Sequence, residues 1–373
     1  MAITSSFRSE NMTSKIEQGP STNLLRLAAD HLSSSLDELS VERITGDASS
    51  RQYFRARAKD ASVIIALYPS PFDETERAAK RLARLEANTP SARLTFANDP
   101  CAHLEVTSLF HEVGLPVPAI VLASGVDGAM LIEDVGDTRL QDWLSNSSRE
   151  ETTDAYNRAI EMVVQIQEAT ERAISADSIC AHLAFDEGKL RWELGFFFAN
   201  YFNKYLKVKL DPAVANAVQQ DFKAVCAELA ARPRVLTHRD YHTRNLMMHG
   251  GTMFIIDHQD ARMGPASYDV ASLLGDPYAV LDSGLANALV EYFIELKSRS
   301  TKPLDDANEF RVELDLTMVQ RMLKAIGTYA SKAATDNPVY IPYINPALDR
   351  ALAAINKLDR FHATRALLEK TRR

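Results

Sequence analysis

His238, Asp240, Asn245 and Asp257 fall within one stretch, VLTHRDYHTRNLMMHGGTMFIIDHQDARMGPASYD, at 235–269. Asn245 stands five residues after Asp240, and Asp257 twelve after Asn245. A carboxylate and an amide oxygen held side by side suit a hard divalent cation such as Mg²⁺, which takes oxygen ligands and keeps its other places for phosphate and water. Asp240, on the loop before them, is then placed to accept the proton of an attacking hydroxyl. Asp240 and His238 are the catalytic candidates; Asn245 and Asp257 are the metal candidates. Each residue type alone is at home in surface turns. The joint spacing, with Asp257 closing an apolar run, carries the inference.

The elements needed to bring these groups together are legible nearby. Residues 253–256 read as a strand, and Gly250-Gly251 turns it into a hairpin with 246–248. That hairpin folds Asn245 and Asp257 back beside each other. Upstream, Leu24, Leu27, Ala28 and Leu32 recur at helical spacing over 23–39. Stretches 41–44, 51–58 and 63–68 read as antiparallel strands, the first two joined by Gly46-Asp47-Ala48-Ser49-Ser50. A turn of small residues there is able to lay backbone N–H groups over phosphate, although on these residues alone a plain tight hairpin is the better reading. Helices are expected at 73–87 and 101–113, the latter carrying Glu105, and strands at 117–123 and 129–132. From 151 the chain reads as helical, with an aromatic-dense helix at 188–206 that suits a core.

The 373-residue chain has room for two lobes. With 46% apolar and 25% charged residues it is of ordinary globular composition. Its net charge of −8 offers no basic field to nucleic acid. No apolar run reaches membrane-spanning length. Residues 1–22 are polar, lack the apolar core of a signal peptide and read as a disordered tail. Cys101, Cys180 and Cys226 are odd in number and far apart, which predicts no disulfide framework or zinc site and a reducing, cytoplasmic setting.

His238-Arg239-Asp240 followed by Asn245 resembles the kinase catalytic loop, and Asp257 its later metal-binding aspartate. The second motif reads Ile256-Asp257-His258-Gln259-Asp260 instead of D-F-G, which turns the resemblance toward the aminoglycoside and choline phosphotransferase superfamily. Further segments resemble the N-acetylmuramate/N-acetylglucosamine 1-kinases. They are Gly46-Asp47-Ala48-Ser49 with Tyr53-Phe54-Arg55, Gly114-Leu115-Pro116, Ile132-Glu133-Asp134-Val135-Gly136, Gln259-Asp260-Ala261, Gly264-Pro265 with Tyr268-Asp269, and Gln320-Arg321 with Leu323-Lys324 and Gly327. They run from about 45 to 345 in the same order.

The resemblance implies an α/β (α+β), bilobal protein-kinase-like fold. A small N-lobe with an antiparallel sheet would span 23–136, and a larger, mainly helical C-lobe 137–373. It implies ATP and Mg²⁺ as cofactors and a small-molecule amino sugar phosphorylated at its C1 hydroxyl, with neither nucleic acid nor membrane as partner. The nucleotide would be met by Gly46, Asp47, Ser49, Arg51, Glu105 and the hinge residues Glu133 and Val135. The sugar would be met by Arg244, Gln259, Asp260, Arg262 and Arg321, and a lactyl carboxylate by Arg244, Arg262, Arg321 or Lys324. His238 and Asp269 would brace the loop, and Arg239 would pair with Asp260 or another carboxylate. The chain departs from the pattern in three ways. Strand 63–68 has no lysine, leaving Arg51 or Arg55 as substitutes. Residues 70–100 are long. His258 stands where an aromatic residue is expected. A kinase for an aminoglycoside or choline-like amine, and a nucleotide-binding pseudokinase, remain the alternatives.

Overall fold

The structure is a computed structural model and describes residues 19–44, 51–87, 89–335 and 337–372. Gly46, Asp47 and Ser49, and the expected tail up to residue 18, lie outside the described residues. The chain divides into two compact units. One comprises the described part of Met1–Glu74 with Ala119–Asp134; the other comprises Thr75–Pro118 with Val135–Arg373. The division at 134/135 is close to the expected boundary at 136, whereas 75–118 group with the C-terminal unit.

In the first unit, helix α1 (Thr22–His31) begins at Ser21, whose hydroxyl accepts the Leu24 amide and so satisfies one of the orphan donors of the first turn. Helix therefore starts inside the stretch expected as tail, and it stops short of residue 39. Strands β1 (Ser40–Ile44), β2 (Gln52–Ala58), β3 (Ala61–Leu67), β4 (Ile120–Ser124) and β5 (Ala129–Glu133) form one antiparallel sheet in the order β1-β2-β3-β5-β4. Alternation places Phe54, Ala56, Val63, Ile65 and Leu131 on one face, where Ala28 of α1 covers them.

The second unit holds the remaining elements. Ahead of the catalytic stretch come α2 (Ala78–Glu86), α3 (Pro100–Glu112), α4 (Leu140–Leu144), α5 (Arg149–Glu168), α6 (Thr170–Ser175), α7 (Ile179–His182), α8 (Glu187–Phe197) and α9 (Pro212–Ala230). Within α8 and the π-helical Phe198–Tyr205 that continues it, Phe197, Tyr201 and Phe202 are buried, as a core reading of the aromatics requires. Two short ladders follow. Strand β6 (Arg234–Thr237) pairs with β9 (Arg262–Pro265), and β7 (Leu246–His249) with β8 (Thr252–Ile255). Gly250 and Gly251 turn β7 into β8 with φ of 56° and 79°, the double positive-φ turn that a two-residue hairpin demands. Helices α10 (Tyr268–Leu274), α11 (Ser283–Ser298), α12 (Ala307–Ala333), α13 (Ile344–Leu358) and α14 (His362–Thr371) complete the unit. Every residue of α10 is buried, as is more than half of α12, and at Gly327 in α12 a Cβ would lie 2.7 Å from the Phe197 Cα. Glycine is what lets α12 pack this closely on the end of α8. The three cysteines are buried and free.

Candidate active site

The two ladders frame the catalytic loop. β6 ends at Thr237 and delivers His238-Arg239-Asp240; β8 delivers Asp257; the turn His258–Asp260 leads straight into β9, where Arg262 pairs with Thr237. Arg239 has a φ of 83°, a strained value for a side-chain-bearing residue. Asp269, on α10, holds it there: its carboxylate accepts the His238 amide at 2.6 Å and the Arg239 amide at 3.0 Å. Burial pushes the Asp269 carboxyl up to about 7, against those two donors. Tyr241 anchors the loop to the Ala159 carbonyl at 2.8 Å, and Asp276 takes both the amide and hydroxyl of Thr243.

Asp240 retains more exposure than the cations around it. Its Oδ1 receives Arg321 Nη2 and Lys324 Nζ, each at 2.9 Å, while Arg239 Nε lies 3.7 Å from Oδ2. Burial disfavours the Asp240 carboxylate, but the Lys324, Arg239 and Arg321 charges overcome it and hold the group well below the usual carboxylate range. His238 Nε2 donates to the Ile256 carbonyl at 3.0 Å, and burial lowers its pKa to about 4. It is therefore a neutral brace. Asn245 Nδ2 donates to the Asp240 carbonyl at 2.9 Å, which leaves its amide oxygen as the atom for a ligand. The Ile256 amide donates to the Asn245 carbonyl at 3.0 Å, so the hairpin continues past the β7–β8 ladder and sets Ile256, the residue before Asp257, opposite Asn245. Asp257 sits in the left-handed region at φ 62°, and Gln259 Nε2 donates to its Oδ1 at 2.8 Å. An amide oxygen and a carboxylate are donors that fit Mg²⁺.

The residues expected at the sugar are distributed otherwise. Asp260 is a buried hub. Thr95 Oγ1 (2.6 Å) and Arg239 reach Oδ2, and the Phe96 amide (3.1 Å) and Arg262 (2.5 Å) reach Oδ1. Arg262 is 1% exposed and lies over the Phe185 ring. Gln259 is buried on Asp257 and the Ala97 carbonyl. These three act inside the protein. Arg244 is half-buried, donating to Gln141 and to the Tyr343 hydroxyl at 2.9 Å each, with its guanidinium 3.7 Å from the Tyr278 ring centre. Arg321 faces Asp240. His258 fills an aromatic niche on α3: its Nε2 is 2.7 Å from Thr107 Oγ1, and its ring packs on His103 and Phe110. The end of the long 70–100 segment supplies Thr95, Phe96 and Ala97, so it clamps Asp260 and Gln259.

Among the residues expected at the nucleotide, Glu105 is bonded by Arg81 and by the Ile179 amide. In the first unit, Glu133 accepts the Ala119 amide, and Arg55 is bidentate to Asp134 at 2.7 and 3.0 Å, leaving it poorly suited to replace a lysine. Arg51 is buried with its guanidinium over Tyr53; Val135 is buried in the second unit. What sequence reasoning missed is the joint attachment of Arg321 and Lys324 to Asp240. The available signal was two cations three residues apart in the otherwise apolar stretch 321–327 of α12.

Residues 40–302 match the APH family, described as "Phosphotransferase enzyme family". The chain is 26% identical to an N-acetylmuramate/N-acetylglucosamine kinase of Pseudomonas aeruginosa over 315 residues, 82% of this chain and 83% of that protein. It is 26% identical to the kinase of the same name from Neisseria meningitidis serogroup B over 327 residues, 86% of each. Among solved structures, a choline kinase from Cryptosporidium parvum Iowa II matches 93% of this chain and 99% of that one with a TM-score of 0.55 at 11% identity. Choline kinase LicA from Streptococcus pneumoniae matches 91% and 99% with a TM-score of 0.51 at 14% identity. These structures support the fold alone, whereas the family match spans more than half of the sequence: the chain belongs to the APH phosphotransferase enzyme family.

Proposed function

We propose that this protein transfers the γ-phosphoryl group of ATP to the anomeric hydroxyl of an N-acetylated amino sugar, N-acetylmuramate or N-acetylglucosamine, in cell-wall recycling. The observation that carries the reading is the cationic setting of Asp240, with Arg321 and Lys324 both 2.9 Å from its Oδ1. That pairing turns Oδ1 away from chemistry and leaves Oδ2 to orient the acceptor hydroxyl and take its proton. A strongly acidic carboxylate suffices, because phosphoryl transfer runs through a loose transition state in which positioning and electrostatics dominate. Asn245 and Asp257 would hold Mg²⁺, which supplies charge neutralisation on the phosphates when bound. Residues Gly46, Asp47, Ser49 and Arg51 and the hinge backbone near Glu133 and Val135 would meet the nucleotide, while His238, Asp269, Gln259 and Asp260 would keep the loop in shape.

The same cations weigh against a choline-like or aminoglycoside acceptor. A positively charged substrate brought to Asp240 would face Lys324 and Arg321, and like charges in a partly buried site repel strongly. The names of the relatives agree with a sugar. Incubation with ATP, Mg²⁺ and a panel of sugars and amines, followed by phosphorus NMR, tests the reading. An acid-labile glycosyl phosphate is expected; a stable 6-phosphate, or turnover of amines alone, would overturn it.

A further inference from the structure

Strand β3 reads Ala-Ser-Val-Ile-Ile-Ala-Leu and carries no cation. Glu105, the carboxylate expected to hold one, is already occupied by Arg81 and the Ile179 amide. Positive charge is gathered instead around the catalytic loop. Arg239, Arg262, Arg321 and Lys324 face the carboxylates of Asp240 and Asp260, so cations outnumber the side-chain anions they touch. Glu193, on α8, is engaged by Gln320 at 2.9 Å and by Lys189 at 3.9 Å. A cation held in such surroundings is costly unless acceptors meet its protons, so the cations with protons to spare are the ones that matter.

The four cations differ in what they have left to give. Arg262 is fully buried on Asp260. Arg239 serves Asp260 and Asp240. Arg321 gives Nε to Ser272 Oγ and Nη2 to Asp240. Lys324 has three ammonium protons, of which Asp240 takes one, and its side chain is 15% exposed against 6% for Arg321. Its Nζ lies 2.9 Å from the carboxylate that orients the attacking hydroxyl. The phosphorus under attack must come within bonding range of that hydroxyl, which brings its oxygens to the neighbourhood of the Lys324 ammonium.

We propose that Lys324 is a catalytic residue that binds the non-bridging oxygens of the phosphoryl group in transfer, supplying from α12 the phosphate-directed charge that β3 lacks. In the step it assists, the acceptor oxygen forms a bond to the γ-phosphorus as the bond to the β–γ bridging oxygen breaks. The electron pair leaves with the nucleoside diphosphate, and the hydroxyl proton passes to Asp240. Arg321 keeps Oδ1 of Asp240 fixed while Lys324 turns toward the phosphoryl oxygens.

The inference rests on the phosphoryl-transfer reading above, and its test separates the two. Lys324→Met and Lys324→Arg are compared with wild type for kcat and KM on N-acetylglucosamine and N-acetylmuramate. ATP hydrolysis by water is followed without sugar, and calorimetry measures binding of ADP·Mg²⁺ alone and with aluminium fluoride plus sugar. Lys324→Met should lower kcat about a hundredfold or more on both sugars, lower the water reaction too, and weaken the aluminium fluoride complex to match while sparing ADP. Lys324→Arg should recover much of each loss. A loss confined to N-acetylmuramate, seen in KM, would make Lys324 an anchor for the acceptor's carboxylate and overturn the proposal. A lower kcat with an unweakened aluminium fluoride complex would overturn it in favour of a role in holding Asp240, and unchanged kinetics would refute both. If Lys324→Met does not fold, the Arg variant and Lys324→Gln carry the comparison. If wild type phosphorylates neither sugar, the substrate reading fails, and the water reaction with ADP–aluminium fluoride binding still judges Lys324.

Discussion

Asp269 holds Arg239 in a left-handed conformation: its Oδ1 accepts the Arg239 amide at 3.0 Å where φ is 83°. Oδ2 takes the preceding amide. Two N–H groups presented to one carboxylate need both of its oxygens, and an asparagine would set its own N–H₂ against one of them. Asp269→Asn should therefore cost about 1–3 kcal/mol of stability and lower kcat by letting Asp240 drift. Denaturant unfolding together with steady-state kinetics checks both. A variant of wild-type stability and turnover would show that the loop holds itself.

Asp240→Ala and Asp257→Ala should both abolish turnover for different reasons. If Asp240 orients the acceptor, as proposed, ADP·Mg²⁺ should still bind without it. If Asp257 and Asn245 hold the metal, as proposed, loss of the Asp257 carboxylate should weaken nucleotide binding only when Mg²⁺ is present. Calorimetry with and without the metal distinguishes them, and equal nucleotide affinity in the two variants would refute the assignment.

Arg244 lies between Tyr278 and Tyr343, with rings 3.7 and 5.1 Å from its guanidinium carbon, and it bonds Gln141. The loop position that made it a candidate for a lactyl carboxylate also puts it where it ties α4 and the turn Pro338–Tyr343 to the catalytic loop. Arg244→Gln should consequently raise KM for N-acetylmuramate and N-acetylglucosamine alike. A loss restricted to N-acetylmuramate, in a comparison of the two sugars, would restore the carboxylate role.

The catalytic hairpin was legible because short-range chemistry dictates it. Gly250-Gly251 permits one tight turn between two short apolar runs, and that turn fixes the register that sets Asn245 against Ile256. The sheet and the helical C-terminal part followed from periodicity in the same way. The destinations of long side chains did not. Asp260 and Arg262 carry the charges expected of substrate contacts, yet they pair with one another, and Asp260 also takes the Thr95 hydroxyl and the Phe96 amide, the latter 164 positions away. A sequence does not reveal which charges are neutralised inside. The grouping of 75–118 with the C-terminal unit was hidden for a related reason: Glu105 accepts the Ile179 amide, and Thr95 and Phe96 bond Asp260, contacts that no local pattern encodes.

His238 gives a pH signature. Burial lowers its pKa from 6.5 to about 4, and its Nδ1 is buried with no hydrogen-bond partner among the described residues. Between pH 4 and 6.5 the unfolded chain holds a proton on this ring that the native state refuses, so His238 makes stability rise with pH. Its contribution is fully present above 6.5 and is lost as pH falls through 4, a span of roughly 3 kcal/mol. Asp269 opposes it. With its carboxyl raised from 3.8 to about 7, the native state retains a proton that the unfolded chain has released, and stability falls with rising pH across that window. The wild-type profile contains both slopes, so the difference between wild type and His238→Gln isolates the histidine. Glutamine can still donate to the Ile256 carbonyl and does not titrate. Urea unfolding at steps from pH 4 to 7 should show the variant overtaking wild type in relative stability as the pH falls. A constant difference across the range would mean that His238 does not refuse the proton.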